Sequence, residues 1–117
     1  MPILDGEEPK KKTGTSSSLW SYEYFHEEIP KKGEISIITN WAGRPKCVIE
    51  TTKVEIVKFN KVTEEFAKTE GEGVNLEYWR KVHWDFFQKE SRITGKLPDE
   101  NMPIVCENFK VIYEFKE

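Results

Sequence analysis

Three polar residues set the chemical question. Lys12 and Thr15 stand three positions apart in the run KKKTGTSSS, and Glu70 follows much later in TEGEG. A threonine hydroxyl as nucleophile, a lysine as base or electrostatic partner and a glutamate as proton donor could together open an amide. The lysine is the demanding member. An ordinary lysine titrates near pH 10.4, so a base working near pH 7 needs its value lowered by about 3 pH units, roughly 4 kcal/mol. A neighbouring carboxylate acts in the opposite direction, because it stabilises the ammonium. Lys12 is therefore a base only where burial outweighs Glu70; otherwise the two form an ion pair. His83 reads as a hydrogen-bonded residue on the inner face of a helix, since the sequence supplies it no partner.

These groups need elements to bring them together. On a regular strand Lys12 and Thr15 have opposite parity, so a shared pocket requires an irregular backbone, which Gly14 could provide through positive φ. The run Ser18 to Tyr24 alternates after Trp20 and suggests an extended segment. Ile29 to Gly33 has the chemistry of a turn, Glu34 to Thr39 and Lys46 to Lys58 are β-branched strands, and the short turn between them makes the pair antiparallel. Asn60 caps an expected short helix over 61–69. Asn75 caps a longer one over 76–93 that ends near Gly95. Along it Leu76, Trp79, Val82, His83, Phe86 and Phe87 share one arc; Trp84 falls on the polar side, where the N-terminal segment is expected to cover it. A last strand spans 104–115. Cys106 and Phe109 differ in parity there, so a bulge near Asn108 is needed if both face one core. The fold class is α+β, with a curled or closed, mostly antiparallel sheet and flanking helices.

Size and composition limit the choice of function. A chain of 117 residues supports one domain, expected over 11–117 after a poorly ordered leader at 1–10. The net charge of -3 is uneven: residues 10–53 carry eight basic and five acidic side chains, so a cationic face toward phosphates is compatible with an acidic whole. No apolar run reaches the roughly 20 residues of a membrane span and no signal peptide is visible, so a cytoplasmic location is expected. Cys47 and Cys106 have no metal or disulfide spacing and read as small buried hydrophobes. Dinucleotide, Walker, zinc-protease and serine-hydrolase motifs are absent, and no metal or other cofactor is implied.

The segments KKTGTSSSLW, PKKGEISIITNWAGRPKCVIETTKVEIVKFNKVTEEFAKTEGEGVNLEYWRKVHWDFF and MPIVCENFKVIYEF resemble bacterial ASCH-domain proteins (activating signal cointegrator homology), relatives of the PUA domains. The likeness runs from Lys11 to Phe115. It implies a PUA-like β-barrel with flanking helices and a cleft that binds RNA, a nucleotide or a nucleoside. The family signature has Gly-x-Lys and an arginine five residues after the lysine. Lys12 matches that lysine, whereas Lys10 replaces the glycine and Ser17 the arginine. Lys10, Lys11, Lys31 and Lys32 would then serve as point charges on phosphate, with Thr13 and Ser17 beside them and Trp20, Tyr22 or Trp41 available to stack bases. One branch of the family consists of amidohydrolases that deacetylate N4-acetylcytidine with a lysine, a threonine three residues on and a glutamate after the first helix. Lys12, Thr15 and Glu70 fall at those positions. Other members resemble single-strand ribonucleases. Members of this type begin with a helix before the lysine, where this sequence has MPILDGEEP; without such a helix the cleft would be more open. A third reading, a protein-interaction domain, predicts a dimer or partner in place of either activity.

Overall fold

The computed structural model describes residues 12–71 and 74–116. The expected leader lies outside the described residues, as do Lys10 and Lys11. Four strands, β1 (Gly14–Ser18), β2 (Ile35–Thr39), β3 (Pro45–Lys58) and β4 (Pro103–Glu114), form one antiparallel sheet in the order β1-β4-β3-β2. The sheet curls into a half-barrel with three helices, α1 (Leu19–Phe25), α2 (Glu64–Thr69) and α3 (Leu76–Thr94). No helix among the described residues is long and apolar enough to cross a membrane.

The strands follow the Val, Ile and Thr runs, and α3 follows its caps: the Asn75 side chain accepts from the Tyr78 amide at 2.8 Å, and Gly95 closes the helix at φ 76. Its buried residues are Trp79, His83 and Phe87, one turn apart in succession. Phe86 is at the exposed edge of the arc, and Trp84 is partly buried with the Phe59 ring centroid 5.4 Å away, while the N-terminal segment expected to cover it lies outside the described residues.

Three local expectations are corrected. Residues 19–25 form a helix where an extended segment was expected. Ser18 ends β1 and caps the helix, accepting from the Ser21 amide at 3.2 Å, and this local cap outweighs the alternating pattern. The next helix starts at Glu64 and not at 61, because Thr63 accepts from the Phe66 amide at 3.1 Å while 59–61 make a single 3-10 turn. The irregularity expected near Asn108 lies across the ladder, on β3, where Thr52 is the extra residue between Thr51, paired with Phe109, and Lys53, paired with Asn108.

That extra residue reverses which residues of β3 face each side, and the alternation of β4 puts side chains into two clusters, one on each side of the sheet. Ile104 and Cys106 of β4 pack with Phe59, Val62, Ala67, Trp79, Phe87 and Met102 beneath α2 and α3. Phe109, of opposite parity, packs with Cys47 and Ile49. Each large apolar side chain so buried contributes about 1.5–3 kcal/mol. β4, the strand shared by both clusters, therefore presents two chemically different sides to its neighbour β1.

Candidate functional site

Glu70 is the residue on which α2 ends, and its side chain is buried between that helix, β1 and α3. Its Oε2 accepts a hydrogen bond from the Ser16 hydroxyl at 2.6 Å and another from the Trp79 indole N–H. Lys12 Nζ stands 3.8 Å from Oε1, and His83 Nε2 stands 3.5 Å from Oε2. Lys12, Glu70 and His83 are all at most 7% exposed. Burial pushes the Glu70 carboxyl upward, but His83, Ser16 and Trp79 together outweigh it and hold the group below the ordinary carboxylate range. The surroundings of Glu70 are donors, which suit a carboxylate; acting as the proton donor that the residue types suggested would require it first to gain a proton. Cys106, on β4 beside it, is the reverse case: burial, reinforced by Glu70 and Glu55, pushes its thiol up to about 12.

Gly14 permits this assembly, for a reason unlike the one expected. It does not take positive φ. A Cβ there would fall 2.9 Å from Thr69 Cβ and closer still to its Oγ1, so glycine lets β1 approach the last turn of α2. The Thr13 amide then donates to the Thr69 carbonyl at 2.8 Å, and the Phe109 amide donates to the Thr13 carbonyl at 2.9 Å. With β1 regular, alternation decides which side chains meet. Ser16 pairs with Cys106 and faces Glu70; Ser18 faces the helices too, donating to Glu90 at 2.8 Å.

Thr15 pairs with Glu107 and looks to the other side. There it lines a hollow of about 270 Å³ with Tyr22, Glu28, Glu34, Ser36 and Glu107 over a floor of Ile38, Ile49 and Phe109. Thr51 donates to Glu107 Oε2 at 2.7 Å and fixes that carboxylate. Burial raises the Tyr22 phenol, the hydrogen bond with Ser17 lowers it, and Glu107, Glu27 and Glu34 raise it further, so the net shift is upward and Tyr22 stays a neutral donor. The structure thus brings Lys12 and Glu70 together and sets Thr15 across an edge strand from them.

The remaining expected residues divide between rim and core. Lys31 and Lys32 are exposed in the turn between Pro30 and Glu34, both of which line the hollow. Trp41 is 75% exposed on the turn joining β2 and β3. Trp20 packs against the helix-side core with the Lys96 ammonium 5.4 Å from its ring centroid, so its face is occupied. Thr13 is exposed and Ser17 is half-buried. Sequence reasoning missed Ser16, Trp79 and the contact of His83 with Glu70, as well as Glu34, Ser36 and Glu107. The available signal was a polar residue inside an otherwise buried period: Ser16 and Ser18 on β1, His83 on α3. Among the described residues no group of three or more His, Cys, Asp or Glu side chains is arranged to hold a metal.

A family model described as "ASCH domain" matches residues 4–113. A crystal structure of an ASCH domain from Lactobacillus crispatus is similar with a TM-score of 0.83 and 37% identity, over 91% of this chain and 67% of that one. A crystal structure of a protein from Enterococcus faecalis gives a TM-score of 0.82 and 39% identity, over 91% of this chain and 64% of that one. The chain spans about two thirds of the length of these solved chains. No curated protein matches significantly.

Proposed function

The chain belongs to the ASCH-domain family, and from that premise we propose that it binds RNA or a nucleoside in the hollow on the Thr15 side of β1. The lining of that hollow carries the reading. Its floor is apolar, its hydroxyls are Thr15, Tyr22 and Ser36, its charged groups are Glu28, Glu34 and Glu107, and none of its described lining residues is cationic. Such walls accept hydrogen bonds from the amino edge of a base and repel a phosphate. Lys31 and Lys32 stand outside, on the turn that supplies two lining residues. A base therefore enters the hollow while the backbone phosphates stay at the rim.

The test is binding of a fluorescent single-stranded RNA at several salt concentrations. Two phosphate contacts give a slope of log affinity against log salt of about −1.4. Changing Lys31 and Lys32 together to alanine should bring that slope toward zero. A slope unchanged by the double substitution refutes the placement of the backbone.

A second reading is an amidohydrolase acting on a base such as N4-acetylcytidine with Thr15 as nucleophile; Thr15 reaches the hollow, but Lys12 and Glu70 lie on the opposite side of β1, so the nucleophile would have to be served from the hollow's own groups. Release of cytidine that disappears in Thr15→Ala supports it. Absence of release, or release unaffected by Thr15→Ala, removes it for that substrate.

A further inference from the structure

One polar atom of the Glu70 cluster has its role unassigned. His83 is 5% exposed and its ring lies on that of Trp79, centroids 4.2 Å apart and planes at 17°. Nδ1 is 2.8 Å from the Trp79 carbonyl oxygen. A carbonyl only accepts, so Nδ1 carries a hydrogen and donates it. Nε2, at the other side of the ring, is buried, has no well-aligned hydrogen-bond partner among the described residues, and faces Glu70 Oε2 at 3.5 Å. That same oxygen already accepts from the Ser16 hydroxyl and the Trp79 indole, an indole N–H can only donate, and the other oxygen, Oε1, faces the Lys12 ammonium at 3.8 Å; with donors on one oxygen and a cation beside the other, the surroundings favour the ionised carboxylate. A neutral His83 with its single hydrogen on Nδ1 would set a ring lone pair against that oxygen. Two acceptors so placed repel in a buried site, whereas a hydrogen on Nε2 turns the contact into an attraction.

We propose that His83 is a positioning residue for Glu70: it carries a second hydrogen on Nε2 while the carboxylate is ionised, and so fixes both the charge of Glu70 and the direction of Oε1 toward Lys12. The two residues share one transferable proton. When Glu70 is protonated from this source, the Nε2–H bond breaks, an O–H bond forms at Oε2, and neutral His83 keeps its remaining hydrogen on Nδ1 against the Trp79 carbonyl. No other co-reactant is needed. Among the described residues, the titratable neighbours of the pair are Lys12 ahead of β1 and Cys106 on β4, with Glu55 on β3 acting on Cys106. Lys12 opposes the second hydrogen by its charge, and the Cys106 thiol stays neutral. The inference concerns the buried cluster on the helix side of β1 and goes beyond the binding proposed for the hollow on the other side, so its test does not depend on that reading.

The test is a long-range ¹H–¹⁵N spectrum of protein labelled in its two histidines, with exposed His26 as reference. At neutral pH both ring nitrogens of His83 should fall in the protonated range. In Glu70→Gln at the same pH, Nε2 should move to the unprotonated range while Nδ1 stays protonated. An unprotonated Nε2 in the wild type overturns the assignment, and so does a Nε2 that stays protonated in Glu70→Gln. If Glu70→Gln does not fold, the wild-type spectrum decides alone. Should the expected pattern appear in a protein that binds neither RNA nor cytidine, His83 keeps its role and the proposed function is removed; the converse result removes His83 alone.

Discussion

Glu70→Gln isolates the charge at the centre of the buried cluster, because the amide keeps the size of the carboxylate. The amide oxygen can still accept from Ser16 and Trp79, but each of these loses an ionised partner, and hydrogen bonds to charged groups are worth about 1.5–3 kcal/mol against about 1 for neutral ones. Lys12 loses a carboxylate oxygen 3.8 Å away and meets an amide in its place. Removing one partner of a buried ion pair costs about 3–5 kcal/mol. For a chain of this length, at about 4 °C per kcal/mol, the melting temperature should fall by about 12–20 °C. Lys12→Met should cost less, since Glu70 keeps Ser16, Trp79 and His83. The sign of the pH dependence is also fixed. Glu70 is depressed in the folded state, so its stabilisation is complete above the ordinary value of 4.5 and is lost as pH falls from there through the folded-state value. The gap between wild type and Glu70→Gln should therefore be widest near neutrality and close in acid. Calorimetric melts across that range provide the measurement. A melting temperature for Glu70→Gln within about 3 °C of wild type at neutral pH, a loss under about 1 kcal/mol, refutes the reasoning.

Gly14→Ala should cost about 1–3 kcal/mol by overpacking against Thr69, and Thr69→Ala in the same chain should recover part of that loss in urea titrations. A neutral effect of Gly14→Ala would mean that β1 and α2 are not in close contact. Cys106 and Cys47 are both buried, and the Cys106 thiol is pushed up to about 12, so neither should react with an aromatic disulfide reagent at about pH 8 until denaturant is added. Rapid labelling of the native protein at Cys106 would contradict its placement beside Glu70.

Much of the frame was legible because local signals agreed with tertiary need. The β-branched runs gave β2 and β3, and Asn75 with Gly95 bounded α3 to within a residue. Where a local signal and a pattern disagreed, the local signal prevailed: Ser18 capped a helix against the alternation of Trp20, Tyr22 and Tyr24, and Thr63 displaced Asn60 as a cap. Lys12 and Glu70 were paired through the family resemblance, since residue type alone does not single them out among 18 basic and 21 acidic residues. The parity of Lys12 and Thr15 already argued that they look to opposite sides, and Gly14 proved to relieve a steric contact and not to reverse the strand. The contacts of Ser16, Trp79 and His83 were not legible, because each depends on β1, α2 and α3 meeting at one point. The acidic hollow was hidden for the same reason: Glu28 and Glu34, on the connection between α1 and β2, meet Glu107 of β4 only in the folded sheet.

The hollow itself is tested most directly by titrating ¹⁵N-labelled protein with cytidine and following backbone amides. Saturable shifts at Thr15, Tyr22, Ser36 and Glu107, lost or much weakened in Glu107→Ala, are the expected result. Shifts confined to the hollow of about 350 Å³ lined by Phe59, Arg80 and Trp84, or no saturable shifts at all, would contradict the account.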